Sequence, residues 1–260
     1  MNIKLVATDM DGTLLDSQKR IPSDFMAWVT THQNIKTVIA SGRQYYNLEK
    51  LFAPIKDRLI FIADNGGLVF ANGEAIYCNK MMKSDVHAIL DILQNIPDIV
   101  VIICGVKSAY MLHSTALSEE NAHMYYARLK FVKDLRECIS QDDIVKLAVF
   151  FEKRNAEELY PTIQNRLSEK ISVQLSGDRW VDIANASVSK GNAIKAILEQ
   201  YHIDKSQAMA FGDYLNDYTL LQACDESYAM ENAHPEIKKI SKYTAPSNDE
   251  DGVMRILRKI

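Results

Sequence analysis

The sequence has few cysteines and no pattern of cysteine and histidine that would hold a metal. Its four cysteines are widely scattered and form no CxxC pair; they are Cys78, Cys104, Cys138 and Cys224. Its six histidines show no HxH or HExxH spacing, which argues against a zinc site. We expect buried thiols in a reducing compartment, and therefore a cytoplasmic protein.

Long apolar runs and an excess of basic residues are also missing. No run approaches the roughly 18 residues that a membrane span needs, and a formal net charge of -4 provides no basic surface for nucleic acid. The N-terminal region carries Asp9 and Asp11 where a secretory signal would need apolar residues. These absences predict no membrane and no nucleic-acid partner, and no sequence feature indicates the oligomeric state.

What is present near the N-terminus is an apolar run that ends in two carboxylates, Asp9 and Asp11, followed by Gly12. In a buried parallel strand this places both carboxylates at the C-terminal edge of the sheet, where ligands bind in open α/β folds. Residues i and i+2 of a strand point the same way, and close carboxylates repel each other unless a cation lies between them. Mg²⁺ fits, because it is held by one or two carboxylates together with water and substrate phosphate.

Such a pair of carboxylates has a chemical use. One can attack phosphorus and form an aspartyl-phosphate, while the other donates a proton to the leaving oxygen and later takes one from water. Two ordinary interpretations of the motif remain open, a solvated Asp-x-Asp-Gly turn and the start of a calcium loop. The acidic residues after Asp11 lack the spacing of a calcium loop, which makes that alternative the weaker one.

Strand and helix patterns alternate on both sides of a different central segment. Apolar runs such as residues 35–40 and 59–63 alternate with helical stretches, which predicts a parallel sheet covered on both faces. Adjacent short strands in the central segment predict a partly antiparallel sheet with helices on one side. We therefore predict an α/β core formed by 1–81 and 187–260, interrupted by an inserted α+β domain at 82–186.

Two local signals are specific enough to test. Asn72-Gly73 between two short apolar runs predicts a β-hairpin. A helical pattern over residues 156–170 contains Pro161, which is expected to kink or shorten the helix.

Further polar residues follow strands or open helices of the predicted core. Ser41 and Gly42 end the second strand and offer a hydroxyl and backbone N–H groups at a helix start, which suits phosphate. Lys190 lies in the first turn of a helix, where its charge opposes the macrodipole and favours a site for an anion. Asp213 ends a later strand, and Asp217 follows one turn on. Each alone has an ordinary alternative: a turn, a solvated lysine, an N-cap or a surface charge.

Together and in this order, these residues resemble the four motifs of the haloacid dehalogenase superfamily. The matching residues are Asp9-Met10-Asp11-Gly12-Thr13, Ser41, Lys190 and Gly212-Asp213-Tyr214-Leu215-Asn216-Asp217. The insertion is similar in size and position to the type-two cap, and segments 228–236 and 248–253 are similar to the Cof-type subfamily of sugar-phosphate phosphatases. Tyr214 and Glu231 depart from the commonest residues at their positions, and Glu231 lies outside the four motifs.

The resemblance implies a Rossmann-like doubly wound parallel-sheet core with an inserted α+β cap that reads the leaving group. It also implies roles for four carboxylates. Asp9 would be the nucleophile and a Mg²⁺ ligand, and Asp11 the general acid and base, with its backbone carbonyl on the metal. Asp213 would be the third protein ligand of Mg²⁺. Asp217 would position a metal-bound water or orient Lys190.

The resemblance also implies a set of groups that hold the transferring phosphoryl oxygens. These are Ser41, the Gly42 amide, the Met10 amide, Lys190 and Asn216. Such groups are what phosphoryl transfer needs, since it depends on positioning and on neutralising the phosphoryl oxygens. Arg43 could reach a second polar group on the substrate, or it could be a salt-bridged surface arginine.

The function expected from this sequence is a Mg²⁺-dependent phosphatase that acts on small phosphomonoesters, sugar phosphates in particular. One alternative is a phosphomutase, which passes the phosphoryl group to a substrate hydroxyl; in the resembled superfamily, mutases typically carry smaller helical caps in another position. The other alternative is a non-catalytic metabolite-binding protein, which a degenerate catalytic motif would favour, and none is degenerate. No motif in 82–186 identifies the leaving group.

Overall fold

The computed structural model describes residues 2–153 and 155–260, which form two compact units. We call Met1–Tyr77 together with Ser189–Ile260 the core unit, and Cys78–Val188 the inserted unit. The strands in chain order are β1 (Leu5–Asp9), β2 (Lys36–Ala40), β3 (Leu59–Ala63), β4 (Leu68–Ala71), β5 (Glu74–Cys78), β6 (Ile99–Gly105), β7 (Ala109–Met111), β8 (Leu129–Phe131), β9 (Ile144–Phe151), β10 (Ile171–Gly177), β11 (Trp180–Asn185), β12 (Ala208–Gly212), β13 (Glu226–Met230) and β14 (Tyr243–Ala245).

The α-helices alternate with these strands over most of the chain. They are α1 (Phe25–Thr31), α2 (Tyr45–Leu51), α3 (Lys83–Leu93), α4 (Ala116–Tyr125), α5 (Leu135–Gln141), α6 (Ala156–Gln164), α7 (Lys190–Gln200), α8 (Tyr218–Gln222), α9 (Pro235–Ile240) and α10 (Gly252–Leu257). Within the described ranges, no helix combines the length and the apolar character that crossing a membrane requires.

The sheet of the core unit has the strand order β14-β13-β12-β1-β2-β3-β4-β5. All neighbours from β14 to β3 are parallel, and β4 runs antiparallel to β3. Along the chain, β1, β2 and β3 therefore follow one another toward one edge of the sheet, and β12, β13 and β14 follow one another toward the opposite edge. The order reverses between β1 and β12, which is the topological switch point where open α/β sheets bind ligands. The predicted α/β fold class is confirmed.

β1 lies in the interior of this sheet, and its first three residues, Leu5, Val6 and Ala7, are apolar. All of its residues are buried, as expected for a strand with a neighbour on each side and covered faces. The predicted hairpin is also present between β4 and β5. Asn72 and Gly73 both have positive φ, 52° and 79°, which is the geometry of a two-residue type I′ turn.

The inserted unit has a second sheet, in the order β10-β11-β9-β6-β7-β8. Its pairs are antiparallel except for β7 and β8, which are joined through α4 and run parallel. Side chains of β9 alternate between two apolar clusters: Leu147 and Val149 belong to one, and Ala148 and Phe150 to the other. The first cluster includes residues of α3, α5 and α6, while the second includes Ala122 of α4. The prediction of helices on one side is therefore wrong for α4.

Most differences from the predicted elements concern short segments. The helix predicted over 156–170 is the shorter α6, which contains Pro161 and ends three residues after it, as expected for a proline within a helix. β8, β14 and α5 were not predicted from the sequence. Two of these are three-residue strands, too short to show an alternating pattern.

Candidate active site

The site begins at the C-terminal end of β1, where the chain leaves the sheet. Asp9 is the last residue of β1 and is 6% exposed, and Asp11 is half-buried in the loop that follows. Gly12 has a φ of 84°, and a Cβ there would overlap the Asp213 carboxylate, so glycine allows the loop to pass this close. Thr13 fixes the same carboxylate, because its Oγ1 donates a hydrogen bond to Asp213 Oδ1 at 2.9 Å. The residues after β1 and β12 therefore meet at the switch point.

A buried lysine joins the carboxylates on the two sides of the switch point. Lys190 is the first residue of α7 and is fully buried, and its Nζ donates to Asp9 Oδ1 at 2.5 Å and to Asp217 Oδ1 at 2.6 Å. Burial lowers the pKa of Lys190, but the charges of Asp217 and Asp9 outweigh burial and raise it, so the lysine stays charged. At Gly66, whose φ is 102°, a Cβ would overlap the Ser189 carbonyl. Because glycine has no Cβ, the start of α7 can approach this closely.

Asp217 uses both of its carboxylate oxygens within the protein. Oδ1 accepts the bond from Lys190, and Oδ2 accepts the backbone N–H groups of Asp213 at 3.0 Å and Tyr214 at 3.2 Å. The side chain is completely buried. Asp217 therefore holds Lys190 in place and also shapes the loop after β12.

The carboxylates at this point form a set of oxygen donors suited to a cation. Asp9, Asp213 and Asp217 each place one carboxylate oxygen within 4.8 Å of the others. Burial raises the pKa of Asp9, and the charge of Asp217 raises it further; burial also raises the pKa of Asp213. One lysine cannot balance three carboxylates, so the cluster keeps an excess of negative charge. A hard divalent cation such as Mg²⁺ fits this donor set.

The second predicted motif lies beside the first because β2 pairs with β1. Asp9 is opposite Ala40, the last residue of β2, so Ser41 begins its loop next to the loop of Asp11. Ser41 is buried, and its Oγ accepts the backbone N–H of Arg43 at 3.2 Å. Met10 is fully buried, and the predicted contact of its backbone N–H with phosphate stays a prediction.

Gly42 and Asn216 are linked through a residue that the sequence analysis did not assign to the site, Asn65. A Cβ at Gly42 would lie 3.1 Å from the Asn65 side-chain amide, and Asn216 Nδ2 donates to Asn65 Oδ1 at 3.1 Å. Asn65 adopts a φ of 55° in the turn after β3. The signal that could have identified it is the polar Asp-Asn-Gly-Gly sequence of this turn, which follows a core strand just as the other motifs do.

Asp11 is held by two cationic side chains rather than by Lys190. Arg43 Nε donates to Asp11 Oδ2 at 3.0 Å and Arg43 Nη2 to Oδ1 at 2.7 Å, while Lys19 Nζ donates to Oδ1 at 2.9 Å. Burial works against the shift, but the hydrogen bonds from Lys19 and Arg43 lower the pKa of Asp11. The expected contact of Arg43 with a substrate stays a prediction; in this structure its guanidinium binds Asp11.

Two asparagines from the C-terminal part of the chain hold the backbone of the Asp11 loop. Asn232 Nδ2 donates to the Gly12 carbonyl at 2.8 Å, and Asn248 Nδ2 donates to the Leu15 carbonyl at 2.9 Å. The Asn248 N–H in turn donates to Asn232 Oδ1 at 3.2 Å. Neither residue has a role predicted from the sequence, although both lie in the segments that resemble the Cof-type subfamily.

The structure therefore brings the predicted residues into three connected groups. The groups are Asp9 with Lys190, Asp213 and Asp217; Asp11 with Arg43; and Gly42 with Asn216 through Asn65. Ser41 lies at the same sheet edge, one residue beyond the partner of Asp9. Buried carboxylates, a charged lysine and backbone N–H groups at a switch point are what phosphoryl transfer requires.

The fold and these groups define an α/β enzyme with an acidic site at the edge of a parallel sheet. The chain belongs to the haloacid dehalogenase-like hydrolase family, whose family model matches residues 6–257. The resemblance found from the four motifs is thus confirmed. The chain is a phosphatase of this family, a phosphoric monoester hydrolase of the Cof type.

Individual relatives cover the chain from end to end. The 5-amino-6-(5-phospho-D-ribitylamino)uracil phosphatase YbjI of Escherichia coli K12 is 34% identical over 100% of this chain and 97% of its own length. A crystal structure from Eubacterium rectale matches 100% of this chain and 99% of its own, with a TM-score of 0.90 and 27% identity. The subclass IIB sugar phosphatase BT4131 is 20% identical with a TM-score of 0.77 over 98% of both chains, a likeness of fold alone.

Proposed function

We propose that this protein is a Mg²⁺-dependent phosphatase that hydrolyses small phosphomonoesters, sugar phosphates in particular, through an aspartyl-phosphate at Asp9. The observation that carries the proposal is the contact of Lys190 Nζ with both Asp9 and Asp217 beside Asp213. Burying a lysine and two carboxylates costs desolvation energy, and this cluster lies at the switch point, where open α/β sheets bind ligands. It suits a site that receives an anionic group and a cation.

The residues that would hold Mg²⁺ are Asp9, Asp213 and the backbone carbonyl of Asp11, with Asp217 in support. The excess negative charge of the carboxylate cluster and its all-oxygen donor set support this assignment. When bound, the metal would neutralise charge on the phosphoryl oxygens and shield Asp9 from an anionic substrate.

Asp9 is the proposed nucleophile because it ends β1 at the switch point with one oxygen bonded to Lys190. The other carboxylate oxygen would attack phosphorus as the bond to the leaving oxygen breaks, and Asp11 would give that oxygen a proton. Water would then attack the aspartyl-phosphate, and Asp11 would take the proton from it. Phosphate leaves, and both aspartates return to their starting state.

The remaining residues would hold the phosphoryl oxygens during both steps. Lys190 brings a charge that the Asp217 contact keeps in place, so no reorganisation is needed when the substrate binds. Ser41, Asn216 and the backbone N–H groups of Met10 and Gly42 are the further donors proposed. Their positions after neighbouring strands β1, β2 and β12 support this assignment.

Relatives support the substrate class. The name of the Escherichia coli relative describes a phosphate on position 5 of a ribityl chain, a primary alcohol of a sugar-like polyol. We extend this class, phosphates on sugars and sugar alcohols, to the present chain as a proposal. We also propose that residues 82–186 determine specificity for the leaving group, and that the protein works in the cytoplasm, in keeping with its four free cysteines.

The experiment that tests the function measures phosphate release from sugar phosphates, sugar-alcohol phosphates and p-nitrophenyl phosphate. Each is assayed with Mg²⁺ and with excess chelator, using wild type and Asp9→Asn. Release that needs the metal and disappears in the variant supports the proposal. Release that continues in Asp9→Asn would overturn the nucleophile, and isomerised product without free phosphate would indicate a mutase instead.

A further inference from the structure

The Asp11 carboxylate is bound at two points by a single arginine side chain. Both of its oxygens accept bonds from Arg43, through Nε to Oδ2 and through Nη2 to Oδ1. This is the two-point geometry in which a guanidinium fixes the plane of a carboxylate as well as its position. A lysine in place of Arg43 would keep the charge but lose the plane.

The two oxygens of Asp11 differ in what they have left to offer. Oδ1 accepts both Arg43 Nη2 and Lys19 Nζ, at 2.7 and 2.9 Å, and so has both lone pairs in use. Among the described residues, Oδ2 accepts only Arg43 Nε, at 3.0 Å. One lone pair of the carboxylate therefore remains for another partner, and it is on Oδ2.

We propose that Arg43 is a positioning residue that fixes the Asp11 carboxylate and, with Lys19, leaves Oδ2 as the oxygen that exchanges the proton. The proton passes from Oδ2 to the leaving oxygen as the phosphorus–oxygen bond breaks. It is replaced at Oδ2 by a proton of the water that attacks the aspartyl-phosphate. This inference rests on the proposed function, because it concerns the proton transfer by Asp11.

The position of Arg43 in the fold supports a fixed rather than a chance contact. Its backbone N–H donates to Ser41 Oγ at 3.2 Å, and its carbonyl accepts the Asp64 N–H at 3.1 Å. The main chain of Arg43 is thus tied to the loops after β2 and β3, while its side chain reaches the loop after β1. Lys19, with a side chain 62% exposed, makes one contact and should contribute less.

Leaving groups provide the test, because proton donation matters for a poor leaving group and little for a good one. Values of kcat/KM are measured for a sugar phosphate and for p-nitrophenyl phosphate, using wild type, Arg43→Ala and Arg43→Lys. We expect Arg43→Ala to lower kcat/KM by about 30- to 100-fold on the sugar phosphate and by less than about fivefold on p-nitrophenyl phosphate. Arg43→Lys should lie closer to the alanine variant than to wild type, and added guanidinium should restore part of the loss in Arg43→Ala.

The same substitution in an Asp11→Asn background shows whether Arg43 acts through Asp11. In that background we expect Arg43→Ala to lower kcat/KM by less than about threefold on p-nitrophenyl phosphate. The loss on the sugar phosphate should then be no larger than the loss on p-nitrophenyl phosphate. The matched control is Arg20→Ala, since Arg20 is next to Lys19 in sequence and its exposed side chain binds Asp16 rather than Asp11. It should leave all rates within about twofold of wild type.

The possible results distinguish a failure of the role of Arg43 from a failure of the proposed function. A wild type active on both substrates, with equal losses in Arg43→Ala on both, would overturn the role of Arg43 and leave the phosphatase intact. An undiminished effect of Arg43→Ala in the Asp11→Asn background would do the same. A wild type that releases phosphate from neither substrate would overturn the proposed function, and the assignment of Arg43 with it.

Discussion

The two units of the molecule bury charged groups in opposite ways. In the core unit, Asp9, Asp213 and Asp217 lie close together, and a single buried lysine bonds Asp9 and Asp217. In the inserted unit, buried Asp142 has its donors at hand: the backbone N–H groups of Lys107 and Asp143 and the hydroxyl of Tyr110, all within 3.2 Å. An ion pair there joins buried Lys146 to half-buried Asp182 at 3.3 Å.

The comparison separates charges that serve the fold from charges that serve the chemistry. A buried carboxylate surrounded by hydrogen-bond donors stabilises the chain that supplies them. Three neighbouring carboxylates that share one compensating lysine cost stability until a ligand arrives. On this argument, the same substitution of Asp by Asn should have opposite effects on the stability of the two units.

The largest expected effect is that of Asp9→Asn in the core unit. It removes the nucleophile and should lower kcat by at least about 10³-fold, because an amide cannot form the aspartyl-phosphate. It also removes a buried charge whose pKa is raised by burial and by Asp217, so the metal-free variant should unfold about 2–4 °C above wild type. Phosphate release and thermal unfolding in chelator measure the two effects, and a clearly less stable variant would break the comparison.

The next effect in size is that of Lys190→Met, which leaves Asp9 and Asp217 buried without a counter-charge. Removing one partner of a buried ion pair costs about 3–5 kcal/mol in the free energy of unfolding. Denaturant unfolding measures this cost, and activity should fall with it. Lys146→Met is the matched control in the inserted unit. Its partner Asp182 has a side chain 18% exposed and can be reached by water, so the cost should be smaller.

Asp142→Asn tests the inserted unit with the substitution used at Asp9. An amide nitrogen in place of one carboxylate oxygen would face a backbone N–H or the Tyr110 hydroxyl, both of which donate to Asp142. We expect a loss of about 1–3 kcal/mol in the free energy of unfolding. Neighbouring Asp143→Asn, on an exposed side chain, should change stability by less than about 0.5 kcal/mol. Equal losses in the two variants would remove the contrast.

The smallest effect concerns pH and Mg²⁺. Because the folded-state pKa of Asp9 is raised above its usual value of 3.8, the folded protein binds that proton more tightly than the unfolded chain. The metal-free protein therefore gains stability from Asp9 as pH falls through the raised pKa, and loses it as pH rises. Since protons and Mg²⁺ compete, Mg²⁺ should raise Tm by about 1–3 °C at pH 8 and by less at pH 5.

Asp9→Asn and Asp213→Asn provide the controls for this measurement. Both should reduce the Mg²⁺-dependent rise in Tm, and Asp9→Asn should also flatten the pH dependence of the metal-free protein. Asp11, whose pKa is lowered, contributes with the opposite sign, since its stabilisation is lost as pH falls. The difference between wild type and Asp9→Asn isolates Asp9, and a rise in Tm that survives in both variants would place the cation elsewhere.

The fold could be predicted to the extent that its elements carry a repeated pattern. β3 spans Leu59–Ala63, the range predicted from its apolar run, and the Asn72-Gly73 turn lies where its chemistry requires. β8 and β14 were missed because each is three residues long. α4 lies against the second apolar cluster of its sheet, which its weakly amphipathic sequence does not indicate.

The candidate site was predictable where a residue follows a strand, and not where it depends on a distant partner. Asp9, Ser41 and Asp213 could be assigned because each lies at the end of a core strand or just after it. The contact of Arg43 with Asp11 and those of Asn232 and Asn248 with the Asp11 loop join residues far apart in the chain. A sequence pattern contains no information on which of many polar side chains will meet.

The sequence by itself determined the class of fold, the family and the chemical types at the sheet edge, because strand periodicity and motif spacing are local properties. Only the tertiary structure decided how those groups pair. Lys190 lies between Asp9, 181 positions away, and Asp217, 27 positions away. It reaches both because Gly66 admits the start of α7 and the parallel order brings β1 beside β12. Pairing of this kind follows from the path of the whole backbone. Charged groups attract each other strongly only over a few ångströms, and the packing of the chain sets the distances between them.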